Sequence, residues 1–217
     1  MFHKRIRPQQ GRFFMLCCLC CFSVFLHAQK RLERVYDVEF LTKIQIDAEK
    51  IYQVELESVE VGHQVWVETF IEGEYQAELT VSSRQEGSTL FLEGVFIPSF
   101  ENPNDKLSAH KVLSVSLKVK VPRQLMVELF GSSTRVVAKG NYNDLDISTR
   151  KGPVFLENVE GLVKVKTANA EIRATRLSGY VQAATSYGKV YRGKVRSGNS
   201  SISLESVNGD IYINKEE

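Results

Sequence analysis

The chain has 217 residues, 43% hydrophobic and 25% charged, which excludes a disordered polymer. A chain this long can bury a core without help from disulfides or a structural metal. Its formal charge is only +2, too small to argue for an acidic partner by itself.

The N-terminus reads as a secretory signal over residues 1–28. Lys4, Arg5, Arg7 and Arg12 make a basic start, Phe13 to Leu26 is a nearly unbroken apolar run of 14 residues, and Ala28 offers a small residue before a cut. The run is shorter than the roughly 20 residues of a membrane span. An uncleaved anchor is the alternative reading. All four cysteines, Cys17, Cys18, Cys20 and Cys21, lie inside this run. The apolar run continues through Phe22 to Leu26, past the last of them, which does not fit a lipidation site. A cleaved chain would therefore hold no disulfide, thiolate metal site or cysteine nucleophile. Removing the four N-terminal cations leaves 24 Lys+Arg against 26 Asp+Glu, a formal −2, so no nucleic-acid partner is expected.

Residues 29–121 alternate with period two and show no amphipathic helix. Short strands are expected at Ile44–Ile46, Val54–Leu56, Val65–Val67, Leu79–Val81 and Leu90–Leu92. Val112 to Val121 is the longest, with Leu113, Val115, Leu117, Val119 and Val121 facing one way; Pro122 ends it. Pro98, Asn102, Pro103, Asn104 and Asp105 mark a surface loop over residues 98–111.

Residues 122–217 carry a repeat. Thr149, Thr167 and Thr185 are spaced by 18, and Ser206 follows after 21. Four residues before each stand Leu145, Val163, Val181 and Ile202, and two before stand Ile147, Val165, Ala183 and Leu204. Three after stand Gly152, Ala170, Gly188 and Gly209; five after stand Val154, Ile172, Val190 and Ile211. Seven after come Leu156, Ala174, Arg192 and Ile213, with Arg192 breaking the apolar pattern. A weaker copy is anchored at Gly131, and a degenerate one spans Ile44 to Leu56.

Each unit is strand, tight turn, strand, glycine turn. Apolar positions two apart put one face of each strand inward, and a single unit cannot cover that face. Stacked units would, with the Thr/Ser anchors in a column. The expected fold is all-β: a parallel β-helix-like solenoid of 18-residue, two-strand coils with atypical N-terminal capping strands. An antiparallel meander or sandwich is the competing arrangement. Lys215, Glu216 and Glu217 would charge the C-terminal end.

The units LVKVKTANAEIRATRLSG (162–179), YVQAATSYGKVYRGKVRSG (180–198) and SISLESVNGDIYINK (201–215) resemble a bacterial family of putative adhesins. That family includes the head-domain type and related β-strand-repeat domains of unknown function, found in exported proteins. KIQIDAEKIYQVELESVEVGHQVWVE (43–68) looks like the first coil of such domains. The resemblance implies a β-helix-like fold, a Gram-negative periplasmic or outer-surface location, and no catalytic residues.

The residues themselves point away from catalysis. His63 and His110 fall in unrelated segments, so no metal set converges. No nucleophile elbow, P-loop or dinucleotide glycine pattern occurs, and no cofactor is expected. Asn208-Gly209-Asp210 reads as a turn. Asp144 and Asp146 share an outward face, but Glu157, Glu160 and Glu171 alternate with Lys164, Lys166, Arg173 and Arg176, the pattern of a solvated sheet exterior. The candidate binding residues are Tyr180, Tyr187, Tyr191 and Tyr212, either stacking on sugar rings or packing across strands. The expected function is a non-catalytic envelope scaffold for a glycan or protein partner, with pairing into homo-oligomers left open. A polysaccharide-acting enzyme and an accessory of an envelope-stress sigma/anti-sigma system are the alternatives.

Overall fold

A computed structural model describes residues 30–73, 79–96 and 113–214. The expected signal, the 98–111 loop with His110, and Lys215 to Glu217 lie outside them. The described chain is all-β, with fifteen strands in one hydrogen-bonded network. In chain order these are β1 (Lys30–Asp37), β2 (Lys43–Asp47), β3 (Gln53–Val59), β4 (Gln64–Gly73), β5 (Leu79–Glu86), β6 (Thr89–Phe96), β7 (Leu113–Pro122) and β8 (Met126–Gly131). Then follow β9 (Arg135–Thr149), β10 (Val154–Thr167), β11 (Ile172–Thr175), β12 (Ser178–Thr185), β13 (Val190–Arg192), β14 (Arg196–Ser206) and β15 (Ile211–Ile213).

The strands pair in two rows. One runs β5, β6, β2, β8, the second half of β9, the second half of β10, β14, β12. The other runs β1, β4, β7, β3, the first half of β9, the first half of β10, β11, β15, β13. Pairs between repeat units are parallel; β1, β4 and β7 pair antiparallel, as do β5 and β6. The long strands β9 and β10 pass from one row to the other at Gly140 and Gly161, whose φ of 98° and 103° suit glycine. A Cβ on Gly161 would stand 1.7 Å from the Tyr142 carbonyl oxygen, so the neighbouring chain also demands glycine.

The register follows the sequence repeat. Leu145 pairs with Val127 and Val163, and Val154 with Val136 and Ile172. The degenerate copy at 44–56 joins the same register, Ile44 against Val127 and Val54 against Val136. These inward positions are buried to 1% exposure or less. By area, each buried Val, Leu or Ile contributes about 1.5–3 kcal/mol. In β7, Val115, Leu117, Val119 and Val121 are buried, matching the expected face.

The spatial order of the units departs from the chain order at both ends. The first unit, β2–β3, lies between β6–β7 and β8–β9, both later in sequence. At the other end β14–β15 is wedged between 162–175 and 180–192: Ile202 pairs with Val163 on one side and Val181 on the other. The end unit is therefore 180–192, not the last one. This order explains Arg192. A unit stacked in chain order would bury its guanidinium between layers, an expensive site for an unpaired charge. At the end Arg192 is exposed and donates to the Val181 carbonyl oxygen at 3.1 Å. The all-apolar Ile202, Leu204, Ile211 and Ile213 occupy the interior instead, at 1% exposure or less. The 21-residue step has a related cause: β14 advances from Arg196 to Ser201 while β12 advances from Ser178 to Tyr180, and the bulge absorbs the excess.

Candidate functional site

The turn joining the two rows is held by the Thr/Ser anchors. They align as Gly131, Thr149, Thr167, Ser206 and Thr185. Thr149 and Thr167 donate across their own turns to the carbonyls of Gly152 (2.7 Å) and Ala170 (2.8 Å). Ser206 accepts the Gly209 amide at 2.9 Å and lies 2.9 Å from the Thr167 hydroxyl. These buried hydroxyls are satisfied by the turns they close. Gly209 packs so closely that a Cβ would stand 1.8 Å from the Ala170 oxygen. Asn208-Gly209-Asp210 is thus a packed turn, as its sequence suggests.

The four tyrosines do not make one face. Tyr191 and Tyr212 pair across β13 and β15 and stack with centroids 4.8 Å apart and planes 7° from parallel. The Arg173 guanidinium lies over Tyr212 at 4.7 Å, and Arg135 lies over Phe155 at 4.0 Å. Phe155, Arg173, Tyr212 and Tyr191 stand side by side in register, a ladder on the outer face of one row. This is the cross-strand packing that the sequence allowed. Tyr180 belongs to the opposite row and is 64% exposed; Tyr187 sits on the turn at 82% exposure.

The carboxylates disperse among cations. Glu157 pairs with Lys139 at 2.8 Å and Arg176 at 3.9 Å, Glu171 with Arg173 at 3.0 Å, and Glu205 with Lys166 at 3.4 Å. Asp144 and Asp146 border a small hollow with Glu128 and Lys164. Burial holds the Asp146 carboxyl above the usual range, opposed by Lys164 and helped by Glu128 and Asp144. Burial also pushes the Tyr142 phenol well above its usual range; its hydroxyl donates to the Lys139 carbonyl at 3.0 Å. Among the described residues no group of His, Cys, Asp and Glu is placed to hold a metal ion. Among the described residues there is no helix long and apolar enough to cross a membrane, which does not address membrane-spanning strands.

A site that sequence reasoning missed lies on the antiparallel strands. Val65 and Val67 point inward and are buried, which turns Trp66, the chain's single tryptophan, to the outer face at 44% exposure. It stands between Val35 of β1 and Lys120 of β7 and borders a depression of about 730 Å³. Val61, 87% exposed, His63 and Gln64 form one rim; Arg31, ion-paired with Glu68, and Lys118 form another. An indole face ringed by donors and acceptors of both charges can stack on a ring and hydrogen-bond its substituents. The alternation around Val65 and Val67 signalled that Trp66 faces outward. Its neighbours come from β1 and β7, and nothing local to Trp66 announced them.

No family model matches the sequence. No curated protein matches it either. Crystal structures do. A putative cell adhesion protein from Clostridium sporogenes aligns with TM-score 0.50 at 14% identity, covering 85% of this chain and 98% of that one. A putative adhesin from Bacteroides fragilis aligns at TM-score 0.31 and 15% identity, over 85% and 96%. A putative lipid binding protein from Parabacteroides distasonis aligns at 0.37 and 11%, over 86% and 97%. The first likeness is one of fold.

Proposed function

We propose that this protein is a non-catalytic, adhesin-like scaffold of the cell envelope that binds a glycan at the Trp66 depression. In this reading residues 1–28 direct export to the periplasm or outer surface of a Gram-negative bacterium. Residues 29–121 cap, and 122–217 continue, one β-solenoid whose 18-residue coils are the two-row units. The parallel register repeated from unit to unit supports the solenoid. The name of the Clostridium structure is in keeping with adhesion.

The observation that carries the glycan reading is the half-exposed indole on a polar-rimmed depression. Sugars present an apolar C–H face and a ring of hydroxyls. The rim supplies Gln64 and His63 beside charges of both signs, and a neutral sugar uses donors and acceptors alike. The Thr149 and Thr167 hydroxyls are occupied in turns and Glu157 and Glu171 are ion-paired, which supports a structural rather than a catalytic role for these groups.

Trp66 is the only indole, so its fluorescence reports this site alone. Titration with a panel of neutral oligosaccharides is expected to shift the emission saturably for at least one, and Trp66→Phe to weaken that sugar's binding by calorimetry. A panel that leaves the emission unmoved overturns the glycan reading. New reducing ends released from any polysaccharide would overturn the non-catalytic one.

A further inference from the structure

The end unit has an unusual charge. Between Glu171 and Glu205 the chain contains no acid and six cations, whereas the whole chain is nearly balanced. Two of the six, Arg173 and Arg176, fold back onto Glu171 and Glu157 of inner units. The other four, Lys189, Arg192, Lys194 and Arg196, belong to the end unit and the segment leaving it. All four are exposed, and none is in an ion pair among the described residues. Arg192 and Arg196 use their guanidinium groups on the carbonyls of Val181 and Arg176, which fixes them in place with their charge uncompensated. Glu205 pairs with Lys166; Asp210, whose carboxylate accepts the Lys189 amide and the Tyr212 hydroxyl, borders the patch at Lys189 and offsets part of its charge, leaving cations in excess.

We infer that this end of the stack is a binding surface for an anionic polysaccharide. The argument is charge complementarity together with position. β12 and β13 are the last strands of their rows, so the surface is not covered by another unit of the described chain. Exposed cations at four positions between residues 189 and 196 raise the local concentration of a polyanion and speed its capture. Exposed Tyr180 and Tyr187, with Gln182 and Ser186 beside them in sequence, add ring faces and hydroxyl and amide partners suited to sugar units between the anionic groups. A second copy docked end to end would oppose four like charges to four. Stacking head to tail gains little, because the opposite edge strands offer no net negative charge: β1 carries Lys30, Arg31 and Arg34 against Glu33 and Asp37, and β5 carries Arg84 against Glu86. This surface is at the far end of the strand rows from Trp66 and stands independently of the neutral-glycan reading.

The test uses the full chain, with Glu216 and Glu217 present. Binding is measured to polygalacturonate, to neutral dextran, to polyglutamate and to vesicles of phosphatidylglycerol, at low and at physiological salt. Polygalacturonate is expected to bind, weakening as salt rises, and dextran not to bind at this surface. The variant Lys189→Gln/Lys194→Gln removes two cations whose side chains make no hydrogen bond among the described residues. It is expected to keep its circular dichroism and melting temperature while binding polygalacturonate about tenfold more weakly. The control Arg150→Gln/Lys151→Gln, on an inner turn, is expected to bind as the parent does. Unchanged affinity in the end-unit variant overturns the assignment. Equal or tighter binding of polyglutamate or vesicles through the same lysines replaces the polysaccharide with an acidic peptide or a membrane. Trp66 fluorescence separates the two sites, because loss at the end unit leaves the neutral-sugar response intact.

Discussion

Thr167 and Ser206 share a hydrogen bond of 2.9 Å across 39 residues of chain, while Thr185, which lies between them in sequence, stands on the far side of Ser206. One contact thus records that the last unit entered between two earlier ones. It also places a hydroxyl pair at the join, buried at 5% and 7% exposure.

Thr167→Val keeps the shape and removes the hydroxyl. The Ala170 carbonyl loses its donor, and Ser206 loses a partner in a buried turn. The expected cost is about 1–3 kcal/mol, read as a lower urea midpoint at unchanged slope. Thr185→Val, at the end unit with solvent beside it, is expected to cost under about 1 kcal/mol. Equal costs would count against the wedged arrangement.

Core truncations separate the same two units. Leu204 is fully buried, so Leu204→Ala is expected to cost about 2–5 kcal/mol. Val181 of the adjoining end unit, which pairs with Ile202, is only half-buried, and Val181→Ala should cost no more than about 1 kcal/mol. Chemical denaturation of both variants checks the order. A stack in chain sequence predicts the reverse, with Val181 inside and Leu204 outermost.

The Asp146 carboxyl, raised chiefly by burial, gives a pH test. A carboxylate with a raised folded pKa binds its proton more tightly in the native state. It therefore costs stability as pH rises through the unfolded and then the folded pKa. Asp146→Asn is expected to raise the melting temperature at pH 7. The gain should shrink below pH 4, where the parent carboxyl is protonated as well. A gain that persists unchanged to pH 3 would point to something other than ionisation.

The unit itself was readable because each copy must bury the same positions. Leu145, Val163 and Ile202 recur at one offset for that reason, and the structure places them side by side. Neighbour order was not readable. Val181 and Ile202 carry equivalent patterns, so either could sit beside Val163, and periodicity has no means of choosing. The clues were Arg192 and Ala183, weak core residues in a unit that only an end position tolerates. The Trp66 depression was hidden for another reason: it is assembled from β1, β4 and β7, and antiparallel pairing brings Val35 and Lys120 beside the indole from distant segments.

The wedged unit also constrains how the chain reaches this structure. Among the described strands β12 pairs only with β14, and β13 only with β15. As the polypeptide emerges from its N-terminus, residues 178–192 have no ladder partner until the strands beyond Arg196 have followed. The stack therefore cannot zip up one layer at a time. Its final two layers form together, after the whole chain is present, which ties their folding to a long-range closure and makes it slow relative to local pairing.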